Sequence, residues 1–184
     1  MLRMLNRQYT ETIEIRITNN PVVAILGPRQ CGKTTLAKLI MANHPNSVYI
    51  DLEKPSDLSK LDNAEWFFSA NRGKLICIDE TQRKPELFAL LRSIVDETND
   101  NGQFLILGSA SRDLIRQSSE SLAGRISYIR LSPLLINEIA KDTSIEKYLT
   151  RGGFPRSFLA SSEEYSFQWR IDFITTVIER VFLQ

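Results

Sequence analysis

Cysteine and histidine are nearly missing from this chain of 184 residues: Cys31, Cys77 and His44 are all it has, and none stands at metal-ligand spacing from another. That excludes a disulfide framework and a zinc centre built from the usual ligands. A surplus of charge of one sign is missing as well. The 23 Lys and Arg against 22 Asp and Glu leave a formal charge of +1, so no strong field draws in a polyanion and no nucleic-acid partner is implied. No apolar run approaches the ~18 residues a membrane span needs, and Met1 to Arg7 lead into a polar stretch, not an apolar signal core. The chain therefore reads as cytoplasmic, without a membrane partner. Internal repeats are absent too. What remains is globular in composition, 42% apolar and 24% charged, which suits a packed core and excludes disorder.

Apolar runs and helical patterns alternate along most of the chain. Residues 1–20 suggest a leading helix. Val22 to Leu26, Ser47 to Leu52, Leu75 to Ile78, Phe104 to Leu107 and Ile126 to Leu131 predict five strands, several of them apolar throughout, as strands buried on both faces are. Helices are expected from Lys33 to about Asn43, from Pro55 to Ala70, after Pro85, and from Ser111 to about Ser118. Such alternation predicts an α/β fold with a mainly parallel sheet and helices on both faces. From Ser132 the pattern changes, and a boundary is placed there, with residues 1–131 as a core and 132–184 as a helical appendage. Ser132 and Pro133 read as the cap and first residue of a helix over Leu134 to Ala140. A short helix at Ile145 to Leu149, the loop segment RGGFP at 151–155 and a long helix over Ser162 to Leu183 follow. In the last, Trp169, Phe173, Val177 and Val181 form a stripe that requires burial.

Gly27, Pro28, Arg29, Gln30, Cys31, Gly32, Lys33 and Thr34 fit GxxxxGK[ST] between an apolar strand and a helix, the context the motif requires. The glycines let successive backbone N–H groups turn inward around phosphates at the positive end of the helix. Lys33 supplies a point charge to the outer phosphates, Thr34 Oγ1 can ligand Mg²⁺, and Thr35 is counted with residues 27–34 as nucleotide-binding. LICIDE, residues 75–80, ends an apolar strand in two carboxylates. Ligands gather at the carboxyl ends of parallel strands, which would put Asp79 beside the phosphate loop as a magnesium ligand and Glu80 in position to deprotonate a water. Ser109, closing the fourth strand, reads either as a contact to the γ-phosphate or, with Ser111, as a helix cap. Trp66 and Trp169 read as core, and Gln82 to Lys84 as a solvated face. Cys31, near a helix N-terminus and Lys33, is expected to have a lowered thiol pKa.

Taken together, GPRQCGKTTL at 27–36, LICIDETQRKPELF at 75–88, FLILGSA at 104–110, SLAGR at 121–125, LSPLLINE at 131–138 and RGGFP at 151–155 resemble the prokaryotic AAA-type P-loop ATPases that carry a C-terminal domain of unknown function. The resemblance implies a three-layer sandwich with a five-stranded sheet of order 5-1-4-3-2 and a small helical lid. It also implies ATP and Mg²⁺ as ligands, Ser109 as a first sensor, and Arg125 as an arginine finger reaching a second copy of the chain, with Arg112 a weaker claimant. A structural ion pair is the other reading of Arg125. Members of that family are usually longer, so the chain is expected to lack their C-terminal part. Two functional readings stay open: ATP hydrolysis, and a nucleotide-dependent switch with negligible turnover. Transfer of the phosphate to a small molecule is a third, for which Glu80 has no use.

Overall fold

The computed structural model describes residues 7–139 and 143–182. Its elements, in chain order, are α1 Tyr9–Asn19, β1 Val22–Leu26, α2 Lys33–Met41, β2 Val48–Asp51, α3 Pro55–Leu58, α4 Ala64–Ala70, β3 Ile76–Asp79, α5 Leu87–Thr98, β4 Phe104–Gly108, α6 Arg112–Ser121, β5 Ile126–Arg130, α7 Ile145–Arg151, α8 Pro155–Phe158 and α9 Glu163–Phe182. Single 3₁₀ turns lie at Ser59–Leu61, Thr81–Arg83 and Ile136–Glu138.

The five strands form one sheet of order β2-β3-β4-β1-β5, every pairing parallel. This is the expected order and a P-loop NTPase α/β fold. The apolar content of each strand matches its place. Val22–Leu26 and Phe104–Gly108 are buried at every position, as inner strands covered on both faces must be. At the edge, Ile126–Arg130 alternates, with Ser127 and Ile129 buried and Arg130 exposed. Register fixes the geometry of function: Val22 lies opposite Phe104 and Ile126 at one end of the sheet, Leu26 opposite Gly108 and Arg130 at the other. One face of the core is filled by Phe67, Phe68 and Phe104, whose rings meet edge to face at 5.6 and 5.5 Å. Each such buried ring contributes roughly 1.5–3 kcal/mol.

The chain divides into two compact units. One comprises Gln8–Arg29 and Lys33–Leu131 and contains the whole sheet; the other takes in Arg7, Gln30–Gly32 and the chain from Ser132. In the second unit Trp169 and Phe173 stack at 5.0 Å and both meet Phe154, which covers half of the expected stripe. Val177 is exposed, as are Phe167, Ile171 and Ile174; nothing is described for the Val181 side chain.

Two helices differ from expectation. Pro55 to Ala70 is broken, because Asn63 leaves the helical conformation and its side chain accepts the Trp66 N–H, starting a new helix at Ala64. That turn carries Trp66 outward, 68% exposed, against its expected place in the core. Among the described residues after Ser132, only a 3₁₀ turn at Ile136–Glu138 forms where a helix over Leu134 to Ala140 is expected; Ala140 lies outside them. The competing partner is Tyr148: its hydroxyl donates to the Leu134 carbonyl at 2.9 Å, while the Glu138 N–H that a helix would bring there goes to Leu135 instead, and the Gly153 carbonyl accepts the Leu134 N–H at 2.7 Å. Gly153 has no Cβ to obstruct this approach, and one added there would lie 2.4 Å from the Leu134 oxygen.

Candidate nucleotide site

Strand β1 ends at Leu26, and the chain turns at Gly27, whose N–H is held by the Gly108 carbonyl at 3.3 Å. Pro28, Arg29 and Gln30 are exposed, and two residues take left-handed backbone, Gln30 at φ 61° and Gly32 at φ 100°. The value at Gly32 suits only glycine comfortably. Helix α2 then begins at Lys33. Lys33 is 6% exposed, and its ammonium donates to the Gly27 and Pro28 carbonyls at 3.0 and 2.9 Å. A buried ammonium needs such partners. These carbonyls hold the charge within the loop. Thr35 follows, exposed on α2.

Strand β3 brings the acid pair to the same end of the sheet. Asp79 is 4% exposed; its Oδ2 accepts both the Thr34 hydroxyl and the Tyr49 hydroxyl, each at 2.7 Å, and its Oδ1 accepts the Glu80 N–H at 2.9 Å. Burial first, then the bond to Asp79, pushes the Tyr49 phenol well above its ordinary range, so Tyr49 stays a donor. Glu80 stands in left-handed backbone, φ 56° and ψ 42°, a conformation that costs a non-glycine residue on the order of 1–3 kcal/mol. Its Oε2 accepts a short hydrogen bond from Gln82 Nε2. Just beyond, the Thr81 hydroxyl lies 3.1 Å from the Ile78 carbonyl and 3.2 Å from that of Leu107, tying this turn to β3 and β4.

The structure therefore gathers Lys33, Thr34, Asp79 and the loop start at one sheet end, with Glu80 following directly. Ser109 comes immediately after β4, partly exposed, at the same end. The cap of α6 belongs to Ser111, which accepts the Leu114 N–H, so Ser109 does not fill that position. Arg125 does not join the group. Its carbonyl accepts the Val22 N–H at the amino end of β1, roughly 16 Å of strand from the loop. Its guanidinium forks onto Asp96, with Nη2 to Oδ2 at 3.0 Å, the ion pair of the alternative reading. Arg112 opens α6. Cys31 is fully buried, which removes the accessibility that a reactive thiol requires.

Sequence reasoning passed over Tyr49 and Gln82. Tyr49 reads as one more β-former in VYID, and only its polar tip distinguishes it; Gln82 lies in a run that resembles a solvated face. Among the described residues no cluster of three His, Cys, Asp or Glu could hold a metal. One carboxylate beside a hydroxyl is nevertheless the hard-oxygen set that suits Mg²⁺ carried in on phosphates, so Asp79 and Thr34 fit that ion.

A parallel α/β sheet with a glycine-turned loop, a buried lysine and an acid facing it across strand tips defines the P-loop class of nucleotide-binding proteins. A family model described as AAA domain matches residues 19–140, and the chain belongs to that family. It is 46% identical over 160 residues to the uncharacterized proteins Mb2031c of Mycobacterium bovis and Rv2008c of Mycobacterium tuberculosis. The match takes in 87% of this chain and 36% of each relative, so the chain spans little more than a third of their length. In fold it is similar to the Walker-type ATPase PABY2304 of Pyrococcus abyssi, with a TM-score of 0.67 at 13% identity, over 95% of this chain and 73% of that one. Among the described residues no helix is long and apolar enough to cross a membrane.

Proposed function

We propose that this chain is a Mg·ATP-binding module that hydrolyses ATP to ADP and phosphate. The observation that carries the reading is the 2.7 Å contact between Thr34 Oγ1 and Asp79 Oδ2 beside the buried ammonium of Lys33. Backbone N–H groups from Gly27 to Thr34 would surround the phosphates, and Lys33 would exchange its two carbonyls for phosphate oxygens. Thr34 and Asp79 would hold Mg²⁺, which neutralises charge on the phosphates when bound. Glu80 would orient a water and accept its proton; the water oxygen bonds to the γ-phosphorus as the bond to the bridging oxygen breaks, and the electron pair leaves with ADP. Ser109 would contact the γ-phosphate. Because Arg125 lies at the far end of the sheet, any arginine finger it provides must come from a second copy, which makes a homo-oligomer part of the proposal. An ATP-dependent module needs a compartment that supplies ATP, and the cytoplasm is the one we propose.

The deciding experiment pairs nucleotide binding with phosphate release in the parent and in Glu80→Gln. Retained binding with turnover lost supports hydrolysis through Glu80; turnover at the parent rate rules Glu80 out as the base. A second reading, a nucleotide-dependent switch with negligible turnover, is favoured by one observation: Gln82 already occupies the Glu80 carboxylate. Phosphate release measured at several protein concentrations separates the two, since a cation supplied by a second copy makes the rate climb faster than linearly.

A further inference from the structure

Tyr49 lies outside the phosphate loop and the acid pair, yet it touches what each of them contributes. It sits on β2 opposite Cys77 of β3, two residues before Asp79 on the same side of the strand. Its hydroxyl donates to Asp79 Oδ2 at 2.7 Å, the oxygen that Thr34 also uses. The ammonium of Lys38, one turn beyond Thr34 on α2, lies 5.3 Å from the centre of its ring. The tyrosine thus meets the phosphate-loop helix through its face and the acidic strand through its tip.

We infer that Tyr49 is a positioning residue for the divalent cation: it fixes the Asp79 carboxylate and sets how tightly Mg²⁺ is held with the nucleotide. The inference rests on the Mg·ATP reading above. Thr34 and Tyr49 share one carboxylate oxygen, but their tasks differ. A cation between Thr34 and Asp79 would take a lone pair of the Thr34 hydroxyl, which must then serve the ion as well as the carboxylate. Tyr49 serves the carboxylate alone and is the side-chain donor that holds the oxygen in place from the β2 side. Partners of this kind orient metal ligands, and their removal costs about 10- to 100-fold in metal affinity. A tyrosine suits the task because its hydroxyl proton is committed to Asp79 while its ring is held from α2 by the Lys38 ammonium.

The test is binding of a fluorescent ATP analogue to the full chain in EDTA and across a Mg²⁺ titration, for the parent and for Tyr49→Phe. The expected result is equal affinity in EDTA and a half-saturating Mg²⁺ concentration raised about tenfold in the variant. An unchanged Mg²⁺ requirement overturns the inference, and so does equal weakening with and without Mg²⁺, which marks a tyrosine that only supports the fold. If Tyr49→Phe does not fold, Lys38→Met is read in the same assay. Releasing the ring should raise the Mg²⁺ requirement about two- to fivefold, and no rise overturns the inference. A parent that binds the analogue with no response to Mg²⁺ strikes the Mg·ATP reading itself, whereas a responsive parent with an unresponsive variant strikes only the role of Tyr49.

Discussion

The two ends of the same sheet use charge in opposite ways. At the carboxyl end Lys33 and Asp79 are buried, each satisfied by several partners, and Glu80 sits in a costly backbone conformation. At the amino end the charged groups lie at or near the surface and pair with one another, Arg125 and Arg92 with Asp96, and Arg72 with Glu97. That end also has a cavity of about 370 Å³ lined by Phe68, Arg72, Lys74, Glu97 and Phe104. Its polar groups are already engaged, Lys74 with Asn71 and Arg72 with Glu97. The cavity is a surface hollow among paired charges, whereas desolvated charge is found at the carboxyl end. Desolvation is the stronger sign of function, because burying an ammonium and a carboxylate lowers stability unless something else is gained.

The sharpest way to break this contrast is Lys33→Ala. Nucleotide-dependent stabilisation, worth about 2.7 kcal/mol at a hundredfold excess over Kd, should vanish from melting curves; a surviving shift would mean that the buried lysine is structural. Next in size is Glu80→Gln, for which phosphate release should fall about 10²- to 10⁴-fold with binding intact. Gly153→Ala tests a purely structural constraint outside the sheet: relieving a Cβ at 2.4 Å from the Leu134 oxygen should cost about 1–3 kcal/mol in thermal unfolding. A neutral result would show that the 132–134 segment yields easily.

The amino end should respond least. Arg125→Ala should leave nucleotide affinity unchanged and lower the melting temperature only slightly, as exposed pairs contribute little. Loss of affinity in a single chain would reverse the comparison. The hydrogen bond from Arg125 holds the Asp96 carboxyl below its ordinary value of 3.8. Because the folded value is the lower one, the pair's stabilisation is complete above the ordinary value and fades as pH falls through the folded one. Melting temperatures of parent and Arg125→Ala should therefore differ by a constant amount from neutral pH down to about pH 4 and converge below it.

The sheet was legible because its signals are local. Each inner strand is a short apolar run, and the phosphate loop is one contiguous motif, so the strands and the site's end of the sheet follow from residues read in sequence, while the strand order came with the family resemblance. Tyr49 and Gln82 were not legible, because their roles depend on which carboxylate lies opposite, and that is set by the register of β2 on β3 and by a left-handed turn at Glu80. The same limit explains the expected helix at Leu134. Propensity favours it, but the Leu134 carbonyl is claimed by Tyr148, whose proximity no local pattern announces. Arg125 could be placed before β5 by sequence; that its partner is Asp96 of α5 required the fold.

The Thr81 hydroxyl has one hydrogen and two carbonyls within reach, at the tips of the two central strands. The turn that carries both acids is thereby moored to the most deeply buried part of the molecule, independently of the loop that follows β1. Any displacement of α2 would alter the separation of Thr34 from Asp79 instead of carrying both along. The strand tips thus act as a ruler with a fixed zero, against which the position of α2 is read at the Thr34–Asp79 contact.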